Sequence, residues 1–471
     1  MSSCMERRLP LEKQLQLRAG ELGRPAKALL LLGVSLGYFM VLLDTTVVSI
    51  ALPAIHDDLG GGIAGLQWVV NAYTIVFAGL LMSMGALADK LGAKRVFSAG
   101  LILFLAASAL SAFAPSLGEL IGLRALLGVG GAMLMPASLS ILAHAHTDPA
   151  ERARVIGIWA ATTGTAMAAG PVAGGLLVDA FGWRSIFLIN VPLAILSLIL
   201  ILPLVSETPR KPGQGFDWPG QLTAIAAIAA LSFALMEGET YGWGSPVILS
   251  AFVLALVLAV LFLIAEGKGS APLFPLHLFR NRTVSSGLAA GMAINIGLSG
   301  VLFVMPLYYQ QVRGMSAHSA GLALLPLTIP LVVNPIFTGK LAGKIGPRLP
   351  MTFGYALTAI AALIPLPANA DTSQVITWAG LLLFGCGVTF TIPPLMAAVV
   401  SAAPRELTGT ASGALNSSRQ LGATLGVAVV GSILAGSGAF LDGMHRSMIV
   451  LSVVLLFGAL ISYACIGRSK S

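Results

Sequence analysis

Long apolar stretches separated by short polar ones set the pattern of this chain. Mostly apolar runs recur near 27–52, 65–87, 95–113, 119–143, 154–179, 183–205, 218–236, 246–266, 283–308, 317–339, 350–367, 374–400, 408–435 and 447–466. About 20 helical residues, rising 1.5 Å each, cross a hydrocarbon core of about 30 Å. The pattern therefore predicts an all-α polytopic membrane protein with fourteen transmembrane helices. Stretches such as PLAILSLILILPLV do not alternate, which excludes the short alternating strands of a membrane β-barrel.

Composition narrows the class. Of 471 residues, 56% are hydrophobic and only 10% charged, against about 25% charged in an average soluble domain. A chain this apolar is not a cytosolic enzyme, a nucleic-acid binder or a disordered scaffold. The net charge of +8 reflects topology rather than nucleic acid. With the N-terminus inside, 22 of the 27 Lys and Arg fall in cytoplasmic segments, three fall outside (Arg184, Arg313, Arg446), and Arg124 and Arg419 lie within spans. Both termini are thus expected in the cytoplasm. Residues 1–26 read as a retained cytoplasmic tail in which LEKQLQL is a candidate surface helix. Cys4, Cys386 and Cys465 suggest no disulfide framework.

The stretch GALADKLGAKR at 85–95 recurs in altered form as GKLAGKIGPR at 339–348. Each closes the second helix of a six-helix set. The repeat predicts two related halves, 27–205 and 283–471, joined by a linker, 206–282, that carries two extra helices. Secondary transporters are commonly built from such repeats, with their sites near the midplane where the halves meet.

Four stretches in order carry a family resemblance: LDTTVVSIALP at 43–53, GALADKLGAKR at 85–95, LIGLRALLGVGGA at 120–132, and GPVAGGLL at 170–177 followed by WRSIFLINVP at 183–192. Together the chain resembles the major facilitator superfamily, and within it the fourteen-helix drug:proton antiporters, which export multiple drugs and quaternary ammonium compounds. Three positions depart from the family pattern: Ala93 stands in place of a basic residue, Leu127 in place of Gln, and Gly343 in place of the repeat's acid.

Of 19 acids, only Asp44 lies clearly within a span, with Glu119 at the mouth of helix 4. Asp44 lies about 12 Å below the end of its run and Arg124 about 8 Å below the same face, so the two can meet. A nearby Arg favours an ionised carboxylate and an apolar cavity the neutral acid, so a small movement loads or releases a proton. A static ion pair that sets helix packing is the alternative. Asp89, with Gly85, Lys90, Gly92, Lys94 and Arg95, resembles the family's cytoplasmic gating latch; these basic residues also serve topology. Gly157, Gly164, Gly170, Pro171, Gly174 and Gly175 permit close helix approach, and the last four resemble the antiporter hinge. Candidate cavity residues are Trp68, Asn71, Tyr73, Phe77, Trp159, Asn295, Asn416 and Arg419, with Tyr308 and Tyr309 equally readable as interface anchors. His144 and His146 lack the supporting ligands of a metal site.

These residues predict a non-enzymatic exporter in a bacterial inner membrane that exchanges protons for lipophilic compounds by alternating access. No P-loop pattern is present, so the coupling ion is the proton, with no cofactor and no metal. A transporter of a defined metabolite on the same fold remains the alternative, and loops this short hold no sensor domain. The expected partners are a lipophilic small molecule, protons and the lipid bilayer, with no nucleic acid; the sequence does not name a periplasmic adaptor. One intramembrane acid suggests one proton per molecule, which favours mono-cationic or neutral substrates over divalent ones.

Overall fold

A computed structural model describes residues 23–146, 148–208, 217–268, 276–404 and 407–467. The candidate surface helix of the tail lies outside them, as do Arg210, Lys211, Arg405, Glu406, Arg468 and Lys470. Among the described residues the structure is helical throughout, without a strand.

The first set of helices is α1 (Arg24–Leu59), α2 (Gly62–Leu91), α3 (Ala93–Ser111), α4 (Leu117–Ala145), α5 (Pro149–Phe181) and α6 (Asn190–Leu204), the last preceded by a short turn Ser185–Leu188. Then come α7 (Trp218–Met236) and α8 (Pro246–Lys268). The second set opens with α9 (Arg282–Leu307), which ends in a π-helical turn, Tyr308–Val312. It continues with α10, in three pieces (Ala317–Ala323, Leu325–Val333, Pro335–Ile345), α11 (Arg348–Leu363), α12 (Gln374–Ala402), α13 (Thr408–Ala435) and α14 (Phe440–Cys465).

Local chemistry sets many of the helix ends. Ser116, Asp148, Asp217, Asn281 and Ser316 each accept a hydrogen bond from a backbone N–H in the first turn of the helix that follows, satisfying a donor the helix itself leaves free. Gly92 (φ 99°) ends α2 and Gly346 (φ 80°) ends α10. They occupy equivalent positions of the repeat, in a conformation that costs glycine least.

Twelve helices among the described residues are long and apolar enough to cross a membrane, and up to 13 when Leu325–Val333 and Phe337–Ile345 count as one bent span. The expected fourteen are not reached. The helix α11 has 16 residues, about 24 Å, short of a core of about 30 Å. In α10 the prolines at 326, 330 and 335 remove backbone donors and bend the chain by 57° between its last two pieces, where a single span over 317–339 was expected.

Within the first set α2 packs on α4, α1 on α5 and α3 on α4; within the second, α9 packs on α13, and α11 on both α12 and α14. The sets meet where α2 lies along α13 and α5 along α10. The pair α7–α8 packs on itself, with α7 leaning on α2 and α13. Outward, α8 exposes Val253, Leu254, Leu256, Val257 and Leu261, a surface suited to lipid rather than water. Lys27 and Gly467 lie on one face of the bundle: Lys27 pairs with Glu151, Gly467 approaches Thr283, and the contacts Gln310–Ile50 and Asp179–Ala317 join the sets at the other face. The first is the terminal face and the second the opposite face.

Candidate transport pathway

Asp44 and Arg124 form an ion pair between α1 and α4, and they are only 2% and 1% exposed. The Asp44 carboxylate accepts a second bond from Asn190 Nδ2 at 3.3 Å, and the same nitrogen donates to Ser108 Oγ at 2.9 Å. Arg124 Nε donates to the Val69 carbonyl at 2.9 Å, and its guanidinium lies 4.7 Å from the centre of the Tyr73 ring. Four helices, α1, α3, α4 and α6, thus meet around this pair, whose charges would be costly so deep without partners. Asn190 stands within WRSIFLINVP, but a neutral amide among apolar residues gives no sign of the acid it will meet.

At the terminal face the turn between α2 and α3 is clipped by the segment after α6. Glu207 accepts from the Lys94 backbone N–H at 3.1 Å and pairs with Arg95 at 3.4 Å, while Thr208 Oγ1 accepts from Ala93 N–H at 2.8 Å. Lys94 Nζ donates to the Leu202 carbonyl at 2.8 Å. A methyl group at Gly92 would come within 2.5 Å of the Glu207 carboxyl carbon, so glycine there serves both the turn and this close contact. Gly85 faces Pro136 of α4; Asp89 is half-buried and Lys90 exposed on the last turn of α2. These contacts of Lys94 and Arg95 remain inside the first set of helices. Glu207 and Thr208 were not singled out from the sequence, where an acid after an apolar run looks like ordinary solvation.

The glycines of α5 divide between two neighbours. Gly170 and Gly174 sit against Thr46 and Val47 of α1, and a methyl at Gly174 would lie 3.2 Å from the Val47 backbone. Gly164 and Gly175 face α10 of the other set, where a methyl would come within 2.7 Å of the Leu331 carbonyl and 2.6 Å of His318 Cα respectively. Between them the Pro171 carbonyl lies against Gly321. Gly157, about two turns nearer the terminal face, meets nothing within 4 Å. The two helices therefore touch from their middle toward the opposite face. That contact is closed by Asp179, whose carboxylate accepts from the Ala317 and His318 N–H groups at 3.1 and 3.0 Å, and by Gln310, which donates to the Ile50 carbonyl at 3.0 Å. Along α2, Gln67 donates to the Val427 and Ala428 carbonyls and Asn71 to the Thr424 carbonyl, at 2.8–3.2 Å.

The candidate cavity residues separate into groups. Trp68 Nε1 donates to Glu237 at 3.0 Å, beyond the end of α7. Asn71 is consumed in the α2–α13 contact, and Tyr73 stacks on Phe77 in the packing beneath Arg124. Tyr308 and Tyr309 are fully buried and bond to the Asn369 carbonyl and to Thr377. The others gather at the centre. Trp159 of α5 stacks on Tyr38 of α1 with ring centres 4.2 Å apart. Arg419 of α13 donates to Asn295 Oδ1 at 3.3 Å and Asn416 Oδ1 at 3.5 Å, with the phenols of Tyr38 and Tyr355 in electrostatic reach. Among the described residues no group of three or more His, Cys, Asp or Glu is arranged to hold a metal ion.

The profile of the Major Facilitator Superfamily matches residues 34–427. The chain belongs to this superfamily. Among its relatives, a Methylenomycin A resistance protein of Bacillus subtilis is 35% identical over 434 residues, spanning 92% of each chain. A Multidrug resistance protein, Stp, of Mycobacterium tuberculosis is 36% identical over 407 residues, 86% of this chain and 76% of that one. In fold, the chain matches a bacterial homologue of the human lysosomal transporter Spinster, solved inward-facing and unoccupied, with a TM-score of 0.70 and 18% identity over 94% of this chain and 98% of that one. A D-xylose–proton symporter matches at a TM-score of 0.69 and 13% identity, over the same shares of the two chains. This superfamily member is therefore a multi-pass membrane transporter of all-helical fold.

Proposed function

We propose that this chain exports lipophilic drugs or toxic compounds in exchange for protons by alternating access, with both termini on the cytoplasmic side of a bacterial inner membrane. The observation that carries the reading is the buried Asp44–Arg124 pair held by Asn190, because a proton delivered to Asp44 cancels the charge that holds four helices together. The drug resistance and multidrug resistance names of its relatives support the export direction. The arrangement with the opposite face joined is the state closed to the outside. On this reading the bent α10 and the short α11 each traverse the bilayer and bring the passages to fourteen. Gly85, Asp89, Lys90, Gly92, Lys94 and Arg95 gate the cytoplasmic side, and Gly170, Pro171, Gly174 and Gly175 let α5 rock between α1 and α10.

A mono-cationic substrate, expected from the single intramembrane acid, fits this site poorly. Asp44 is occupied by Arg124, and the charge at the centre is that of Arg419. Neutral lipophilic compounds meet no such opposition. The test is a resistance panel in a strain lacking its own pumps, followed by transport in proteoliposomes. Wild-type chain should confer tolerance and accumulate substrate under a pH gradient, and Asp44→Asn should do neither at equal expression. Accumulation by Asp44→Asn vesicles would overturn the coupling role, and a flat panel would point to a defined metabolite instead.

A further inference from the structure

Among the described residues, Arg419 is a charged side chain at the centre of the bundle that pairs with no opposite charge. A guanidinium offers five N–H donors. Two of these reach Asn295 and Asn416 through long bonds of 3.3 and 3.5 Å, and three remain. Its stem passes over Gly291 of α9, where a methyl group would come within 3.1 Å of Arg419 Cγ, so the backbone leaves room for this side chain.

The groups in electrostatic reach of Arg419 are phenols, not carboxylates. Tyr38, in electrostatic reach of Arg419, stacks on Trp159 and shares a 3.1 Å hydrogen bond with Thr163. Trp159 Nε1 is a buried donor without a partner, on a residue only 6% exposed. The depths agree: Tyr38, Asn295 and Arg419 stand 14, 13 and 11 residues from the terminal-face ends of α1, α9 and α13, about 16–21 Å along the helices. They meet near the midplane, where the halves of such transporters bind their cargo. A cation would be repelled there, and a half-buried guanidinium that meets no counter-charge among the described residues is costly. An oxygen acid relieves that cost through two parallel N–H···O bonds.

We infer that Arg419, steadied by Asn295 and Asn416, is the seat for the carboxylate of an amphiphilic substrate whose apolar body lies against Tyr38 and Trp159. The substrate class is the lipophilic organic monoanion. This rests on the export reading for its direction of transport, but binding does not depend on that reading. Energetically the class suits proton exchange: one proton entering while one anion leaves moves two charges in the direction that an inside-negative potential favours.

Three probes of equal size test the seat: 1-naphthoate, its neutral methyl ester, and a naphthylmethyl quaternary ammonium. Binding is measured to the full chain in lipid nanodiscs by tryptophan fluorescence and calorimetry. Wild type should bind naphthoate about tenfold or more tightly than the ester, and the ester more tightly than the cation. Arg419→Gln should erase the naphthoate preference over the ester, while Arg419→Lys should keep part of it. The wild-type ranking needs no variant to fold. Naphthoate bound no better than the ester, or an unchanged preference in Arg419→Gln, would overturn the proposal. Transport is read separately: a naphthoate preference in binding without any pH-driven movement would sink the proton-coupled reading and leave the anion seat standing.

Discussion

Asp44 and Arg124 are 80 residues apart in the chain yet share one buried pair. Removing one partner of such a pair leaves a charge without compensation and costs about 3–5 kcal/mol. Asp44→Asn should therefore lower thermal stability in detergent, and adding Arg124→Gln should restore most of it while pH-driven transport stays absent. If the double variant is no more stable than Asp44→Asn, the pair does not hold these helices as described. Asp44 was legible in the sequence because an acid inside an apolar run is anomalous, and Arg124 for the same reason. Asn190, Ser108 and Tyr38 were not, because neutral polar residues are common in transmembrane helices and reveal their partners only when those helices are placed. Trp68 and Asn71, candidates for the cavity by residue type, donate to Glu237 and to the Thr424 carbonyl.

Helices act here through their ends and their smallest residues. Asp179 receives the first N–H groups of α10, an interaction of about 0.3–1 kcal/mol at a helix N-terminus, and up to about 2 where it is partly buried. Asp179→Asn should weaken closure of the opposite face, seen as faster labelling of a cysteine placed at Gln310 from that side. Gly175→Val should have the larger effect, because a side chain there meets the Ala317 carbonyl and His318. It should hold that face open, abolish turnover and leave the chain folded in lipid. Unchanged labelling in both variants would mean that α5 and α10 do not form the closing contact. The glycine pattern of α5 was readable as close packing, but the sequence does not say that Gly170 and Gly174 serve α1 while Gly164 and Gly175 serve the other half. Apolar length alone predicts one span over 317–339, whereas the prolines of α10 remove backbone donors and the helix breaks.

Across the whole molecule, charge movement distinguishes the possible cargoes. A neutral compound exchanged for one proton moves one charge, so 100 mV contributes about 2.3 kcal/mol, and a monoanion moves two charges, about 4.6 kcal/mol. One pH unit contributes about 1.4 kcal/mol per proton in either case. A potential imposed alone, inside-negative in the export orientation, should accelerate naphthoate export more than ester export and leave exchange of a monovalent cation unaffected. Equal responses of all three would contradict one proton per cycle. Topology is checked by single cysteines replacing Glu239 and Lys268 in a chain lacking Cys4, Cys386 and Cys465, which should label from outside and inside respectively. Labelling of both from one side would refute the orientation. The sequence by itself determined the membrane class, most helix positions and which charges fall within apolar runs, because each of these is a one-dimensional pattern of polarity set by the bilayer. Only the tertiary structure decided that Asp44 is occupied, that Glu207 clips the loop and that Arg419 meets no counter-charge among the described residues, because partnership inside a bundle depends on how helices far apart in sequence rotate and pack.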